Sequence, residues 1–153
     1  MNTFAYLLKQ WFRELKEPLI PFSLYQEALD SCESPANAIA LVDKKLPAIN
    51  KLVIGYLIRF LQVFSAKLSV DNTKMDENNL SMVWAPNILR APANSSVLMH
   101  SNPTLIFENT RKEMTFIRTM IQYLNTKYIQ GLIQLSKLSF EVIEDVRIDS
   151  NPI

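Results

Sequence analysis

Between Ala48 and Leu68 the chain carries Ile49, Leu52, Val53, Tyr56, Leu57, Phe60, Leu61 and Phe64. Steps of three and four residues put these side chains on one broad stripe of an α-helix. A stripe this wide exceeds the narrow seam of a single helix–helix contact. It predicts a central helix over residues 48–68, buried against more than one neighbour, and with it an all-α domain. Glycine usage points the same way: only Gly55 and Gly131 occur in 153 residues. Hairpin turns draw on glycine for positive φ, so a β-rich fold would lack its turns. The same scarcity excludes a glycine-rich phosphate cradle, which needs several glycines close together.

Other segments read as helices flanking this one. Phe4, Leu7, Leu8, Trp11, Phe12 and Leu15 keep the same rhythm, and Pro18 and Pro21 end that helix at a rigid corner. A short helix follows over about 22–32. Ser34 before Pro35 reads as an N-cap with proline at the first helical position, opening a helix that stops near Pro47. The polar stretch Val70–Thr73 interrupts the pattern. Asp76 then caps a helix through Leu80 and Val83 that Pro86 is expected to terminate. Residues 90–102 read as a loop. Asn102 and Pro103 start the next helix, which continues to about Asn125 through Phe107, Met114, Ile117, Ile121 and Leu124. Beyond Thr126, Leu138, Phe140 and Val142 alternate like a strand, while Leu135, Leu138, Val142 and Val146 suit a helix equally. The division expected is a helical domain over 1–126 and a C-terminal tail over 127–153.

Composition narrows the chemistry. The net charge of +1 gives no general pull toward nucleic acid or an anionic membrane. His100 is the only histidine and Cys32 the only cysteine. A zinc site usually needs several such ligands, and a Ser-His-Asp triad would have to use His100, in a polar stretch near Pro103. No metal and no cofactor is expected. A lone cysteine forms no internal disulfide and fits a reducing compartment. No apolar run reaches the ~20 residues of a membrane span, and the N-terminus lacks the pattern of a signal peptide. The expectation is a cytoplasmic protein.

Three stretches, in this order, carry a resemblance: LLKQWFRELKEPLIPFSLY (Leu7–Tyr25), LPAINKLVIGYLIRFLQVFS (Leu46–Ser65) and TKMDENNLSMVWAPNILR (Thr73–Arg90). FENTRKEMTFIRTMIQYL (Phe107–Leu124) extends it. Together they resemble the C-terminal portion of a RhoGAP domain, the module that activates Rho-type GTPases, over roughly residues 3–126. YLIRFLQVF (Tyr56–Phe64) and IFENTRKEM (Ile106–Met114) look closest to its Vilse-type branch. The resemblance implies a regulatory protein rather than an enzyme, whose partner is a Rho/Rac/Cdc42-type small GTPase in its GTP-bound state. The alternative is a non-catalytic GTPase-binding or protein-interaction helical module.

Lys9 and Arg13 lie four apart, so both cations leave one face of their helix. Arg13 offers a planar fork suited to a carboxylate or phosphate, Lys9 a mobile point charge. On spacing alone the pair reads as a solvated helix face. The resemblance assigns both to the GTPase-facing groove, and adds Asn87, whose amide can donate and accept at once. All three are expected on one face, at least partly exposed. Trp11, Phe12, Met75 and Trp84 read as packing residues. The chain departs from the family in two places. Lys16 stands where a proline is usual, which should loosen the corner slightly. The family's catalytic arginine sits in an early loop flanked by glycines, and none of Arg13, Arg59, Arg90, Arg111, Arg118 and Arg147 has that context. The resemblance therefore implies that these 153 residues keep part of the recognition surface and lack the arginine finger. Apolar surface left uncovered by absent N-terminal helices should make the isolated chain marginally stable or self-associating.

Overall fold

A computed structural model of the chain describes residues 2–93 and 102–125, with positions 131 and 134 beyond them. Within the described residues lie seven α-helices and no strand, as an all-α fold requires. They are α1 (Asn2–Glu14), α2 (Tyr25–Ser31), α3 (Pro35–Lys45), α4 (Ala48–Phe64), α5 (Lys67–Thr73), α6 (Glu77–Ile88) and α7 (Pro103–Tyr123). A 3-10 turn, Phe22–Leu24, leads into α2.

Local chemistry sets several of the starts. Asp76 caps α6 by accepting from the Asn79 backbone N–H at 2.8 Å. Asn102 caps α7, its Oδ1 accepting from Thr104 N at 3.2 Å, with Pro103 at the first helical position. Ser34 opens α3 through its extended backbone and Pro35 rather than through a side-chain bond. The proline corner is held at both ends of its apolar pair. Asn50 Nδ2 donates to Leu19 O (2.9 Å) and Ile20 N donates to Ile88 O (3.1 Å). Pro18, Leu19, Ile20 and Pro21 are all buried.

Two boundaries differ from expectation. The 48–68 helix stops at Phe64, and α5 follows over residues expected to break the pattern. Ser65 is the last αR residue and Ala66 is extended, so the chain turns before restarting. Lys74, with φ 58, ends α5 in the left-handed region. Pro86 does not terminate α6, which runs on to Ile88. The carbonyl that loses its donor is that of Met82, four residues back; Met82 and Pro86 are both exposed, and the helix ends two residues later. Asn87 therefore belongs to the last turn of α6, not to a loop behind it.

The burial of α4 is also one-sided. Ile54, Leu57, Ile58 and Leu61 enter the core, whereas Ile49 is 65% exposed and Tyr56, Phe60, Val63 and Phe64 lie open beside it. The element at the centre is instead α7, which packs on α6, α2, α3 and α4. Phe116, Ile117 and Met120 supply its buried face, while Phe107, expected on it, is exposed. The alternative readings of the tail fall outside the described residues, apart from Gly131 and Gln134, both helical.

Candidate functional site

The site is assembled where α1 ends against the end of α6. Phe12 is the anchor: it is buried, and its ring meets Trp84 of α6 edge-on at 6.4 Å. Next along α1, Arg13 is exposed and points toward α6. Its Nε donates to Asn87 Oδ1 at 2.6 Å. Asn87 is 0% exposed, so the expectation of an exposed amide is corrected. Its Nδ2 donates to Val83 O (2.7 Å) and, more weakly, to Trp84 O (3.4 Å). Those two carbonyls fix the amide's orientation, leaving Oδ1 as the acceptor that faces Arg13. A buried amide with both ends used is stabilised where it stands, because leaving either end unpaired would cost about 1–3 kcal/mol.

Arg13 is held a second time, through its backbone. Arg90, just past α6, donates from Nη1 to Arg13 O and from Nη2 to Leu15 O, both at 2.6 Å. The last carbonyls of a helix have no partner within it, and a cation there is favoured by the helix dipole. The sequence sets Arg90 apart only as lacking the context of a finger; its guanidinium is committed to two backbone carbonyls. A basic residue soon after a helix end is a weak signal in the sequence, since nothing local names the distant carbonyls it will meet.

Lys9 lies one turn before Arg13 and is half-buried. Neither cation joins a salt bridge among the described residues; the pairs found there are Lys45–Glu27 and Lys51–Asp43. The terminal nitrogens of Arg13 likewise meet no acceptor among the described residues. The structure thus joins Arg13 to Asn87 directly, and Lys9 to them through α1. Of the expected packing residues, Phe12 and Trp84 are buried and Met75 packs against the core, but Trp11 is 53% exposed. Trp11 lines an open groove of about 270 Å³ with Leu15, Leu19, Ile49 and Val53, between α1 and α4.

No catalytic constellation accompanies this arrangement in the described residues. No group of three or more His, Cys, Asp or Glu side chains there could hold a metal ion. No described helix is long and apolar enough to cross a membrane. Burial pushes the Cys32 thiol up, with Glu33 adding to it, which suppresses the nucleophilic thiolate. Tyr25 Oη donates to Glu113 Oε1 at 2.6 Å, a structural contact between α2 and α7.

The RhoGAP domain model matches residues 1–93. Among curated proteins, GTPase activating protein homolog 2 of Dictyostelium discoideum is 43% identical over 122 residues, covering 80% of this chain and 13% of that protein. GTPase activating protein homolog 3 of the same organism is 31% identical over 121 residues, covering 79% and 8%. Human Rho GTPase-activating protein 24 is 33% identical over 129 residues, covering 79% and 16%. The chain thus spans a small part of the length of these relatives. The matched segment holds both helices of the site, and with it the Arg13–Asn87 contact and the Arg90 clamp; the chain belongs to the RhoGAP domain family.

Proposed function

We propose that this chain is the C-terminal portion of a RhoGAP domain that binds a Rho-type GTPase in its GTP-bound state through Lys9, Arg13 and Asn87. The observation that carries this is the hydrogen bond from Arg13 Nε to Asn87 Oδ1. It uses the inner nitrogen of a guanidinium and leaves the outer two for an acceptor on a partner. Asn87, being buried, acts by holding Arg13, and Lys9 adds a second positive charge one turn away. The names of the relatives, which speak of GTPase activation, support the same partner class. The likeness of YLIRFLQVF and IFENTRKEM supports a reading nearest the Vilse-type branch, and the lone buried thiol supports a cytoplasmic site of action.

Recognition and catalysis separate in this sequence. A finger arginine in trans stabilises charge that develops only in the transition state, a contribution of about 10³–10⁵ in rate. That is roughly 4–7 kcal/mol of barrier. None of the six arginines has the glycine-flanked context of a finger. Arg90, just past α6, is bound to Arg13 O and Leu15 O, which favours the second reading, a binding module without a finger of its own. Single-turnover GTP hydrolysis with this chain in excess decides the matter. The expected result is binding of the GTP-loaded GTPase with little or no acceleration. Acceleration near ~10³-fold, abolished by Arg13→Ala or Arg90→Ala, would overturn the finger-less assignment. Binding unchanged by Lys9→Ala and Arg13→Ala would overturn the site.

A further inference from the structure

Four consecutive residues, Asn87 to Arg90, grip α1 and its exit at three levels. Asn87 takes the Arg13 side chain. Ile88 O accepts from Ile20 N at 3.1 Å, tying down the proline corner. Arg90 bridges the carbonyls of Arg13 and Leu15, each at 2.6 Å. Two of the three contacts converge on one residue: Arg13 is fixed by Asn87 at its side chain and by Arg90 at its backbone. A guanidinium does this in a way an ammonium cannot, because its planar fork sends two N–H donors to two separate oxygens. Arg90 also places its charge at the negative end of α1.

We infer that Arg90 is a positioning residue for GTPase recognition, acting through Arg13. This rests on the proposed role of Arg13. The direction of a long side chain depends on where its Cα stands. With the carbonyls of Arg13 and Leu15 held, the last turn of α1 is locked, and the Arg13 fork leaves it along one path past Asn87. Without that clamp the turn frays, as helix ends do, and Arg13 samples orientations that miss its acceptor. Arg90 itself needs no contact with the partner. Its nitrogens Nη1 and Nη2 each donate to a carbonyl at the end of α1, and Nε is buried without a partner among the described residues, so the guanidinium is turned toward α1.

The test compares wild type, Arg90→Gln, Arg90→Lys, Arg13→Ala and the double variant Arg90→Gln/Arg13→Ala. Each is titrated against a Rho-type GTPase loaded with a non-hydrolysable GTP analogue, with the thermal midpoint recorded alongside. Arg90→Gln should weaken binding about tenfold, the loss of one charge-assisted hydrogen bond. Arg90→Lys should recover little of it, since one ammonium cannot span both carbonyls. The double variant should bind no more weakly than Arg13→Ala alone, because the two act through the same contact. Should Arg90→Gln fail to fold, Arg90→Lys is carried through the same cycle, with the Arg13 Nε–H resonance as a second readout. That proton should exchange faster with water than in wild type. Binding by Arg90→Gln equal to wild type while Arg13→Ala is weakened would overturn this inference alone. A double variant tenfold below Arg13→Ala would do the same, marking Arg90 as structural. Wild-type binding by Arg13→Ala would remove the recognition site and this inference with it.

Discussion

Asn87 and Arg13 differ in burial, and so their substitutions should differ in kind. Arg13 is exposed, and truncating it to Ala opens Asn87 Oδ1 to water, which can donate in its place; Arg13→Ala should therefore move the thermal midpoint by no more than a degree or two, while reducing GTPase binding. Asn87 is fully buried, with its oxygen on Arg13 and its nitrogen on Val83 O. Asn87→Ala should cost about 1–3 kcal/mol. That is a drop of several degrees for a chain of this size, accompanied by the same loss of binding. Thermal denaturation and titration of both variants check the contrast; equal stability loss at the two positions would contradict it. Glu113 offers a separate test. Burial holds its carboxyl above the ordinary carboxylate value, an effect offset in part by the Tyr25 hydrogen bond. A group raised on folding contributes stability that is full below its unfolded pKa and fades as pH rises through its folded pKa. Glu113 therefore disfavours folding at neutral pH relative to acid. Glu113→Gln keeps an acceptor for Tyr25 without the charge. It should raise the urea midpoint at pH 7 and lose that advantage as pH falls below the ordinary carboxylate range. An unchanged midpoint at both pH values would refute the assignment.

At the level of elements, caps and breaks decide where helices lie, and helix positions decide what meets what. Asp76 is the cap whose side chain is seen to bond its helix most closely, at 2.8 Å from Asn79 N. Asp76→Ala should cost about 1 kcal/mol. Because α6 carries Asn87 and leads to Arg90, the same change gives a control for the site. Stability should fall, measured by chemical denaturation, while GTPase affinity of the folded fraction holds. Loss of affinity in step with the cap would mean that the far end of α6 governs the geometry near Arg13. Pro86 illustrates how an element can overrule a local rule. Proline inside a helix removes one hydrogen bond and crowds the preceding turn. Here the helix continues for two residues, because Trp84, Ile88 and Leu89 are buried on one side while Pro86 faces solvent.

Across the whole molecule the apolar faces are unevenly covered. The core gathers around α7, yet Tyr6, Leu7, Trp11, Ile49, Tyr56, Phe60, Val63 and Phe64 remain exposed on α1 and α4. Large exposed apolar patches favour association. The isolated chain should therefore self-associate as concentration rises, and Ile49→Glu with Phe60→Glu should suppress this without unfolding the domain. Sedimentation velocity across a wide concentration range checks both; a clean monomer throughout would contradict the expectation. The helices themselves were legible in the sequence. The rhythm of Phe4 to Leu15, the Ser34-Pro35 and Asn102-Pro103 starts and the Asp76 cap are local signals, set by backbone sterics and by bonds within a single turn. The stripe from Ile49 to Phe64 declared a helix and its width. It could not say which half would be buried, because burial depends on which helices arrive from elsewhere in the chain. The motifs also marked Lys9, Arg13 and Asn87 as residues of interest. Only the tertiary structure decided that Asn87 is buried beneath Arg13 and that Arg90 clamps the end of α1. Those contacts join residues 74 to 77 positions apart. Hydrogen bonds over such separations arise from the packing of α1 on α6, which no local pattern encodes.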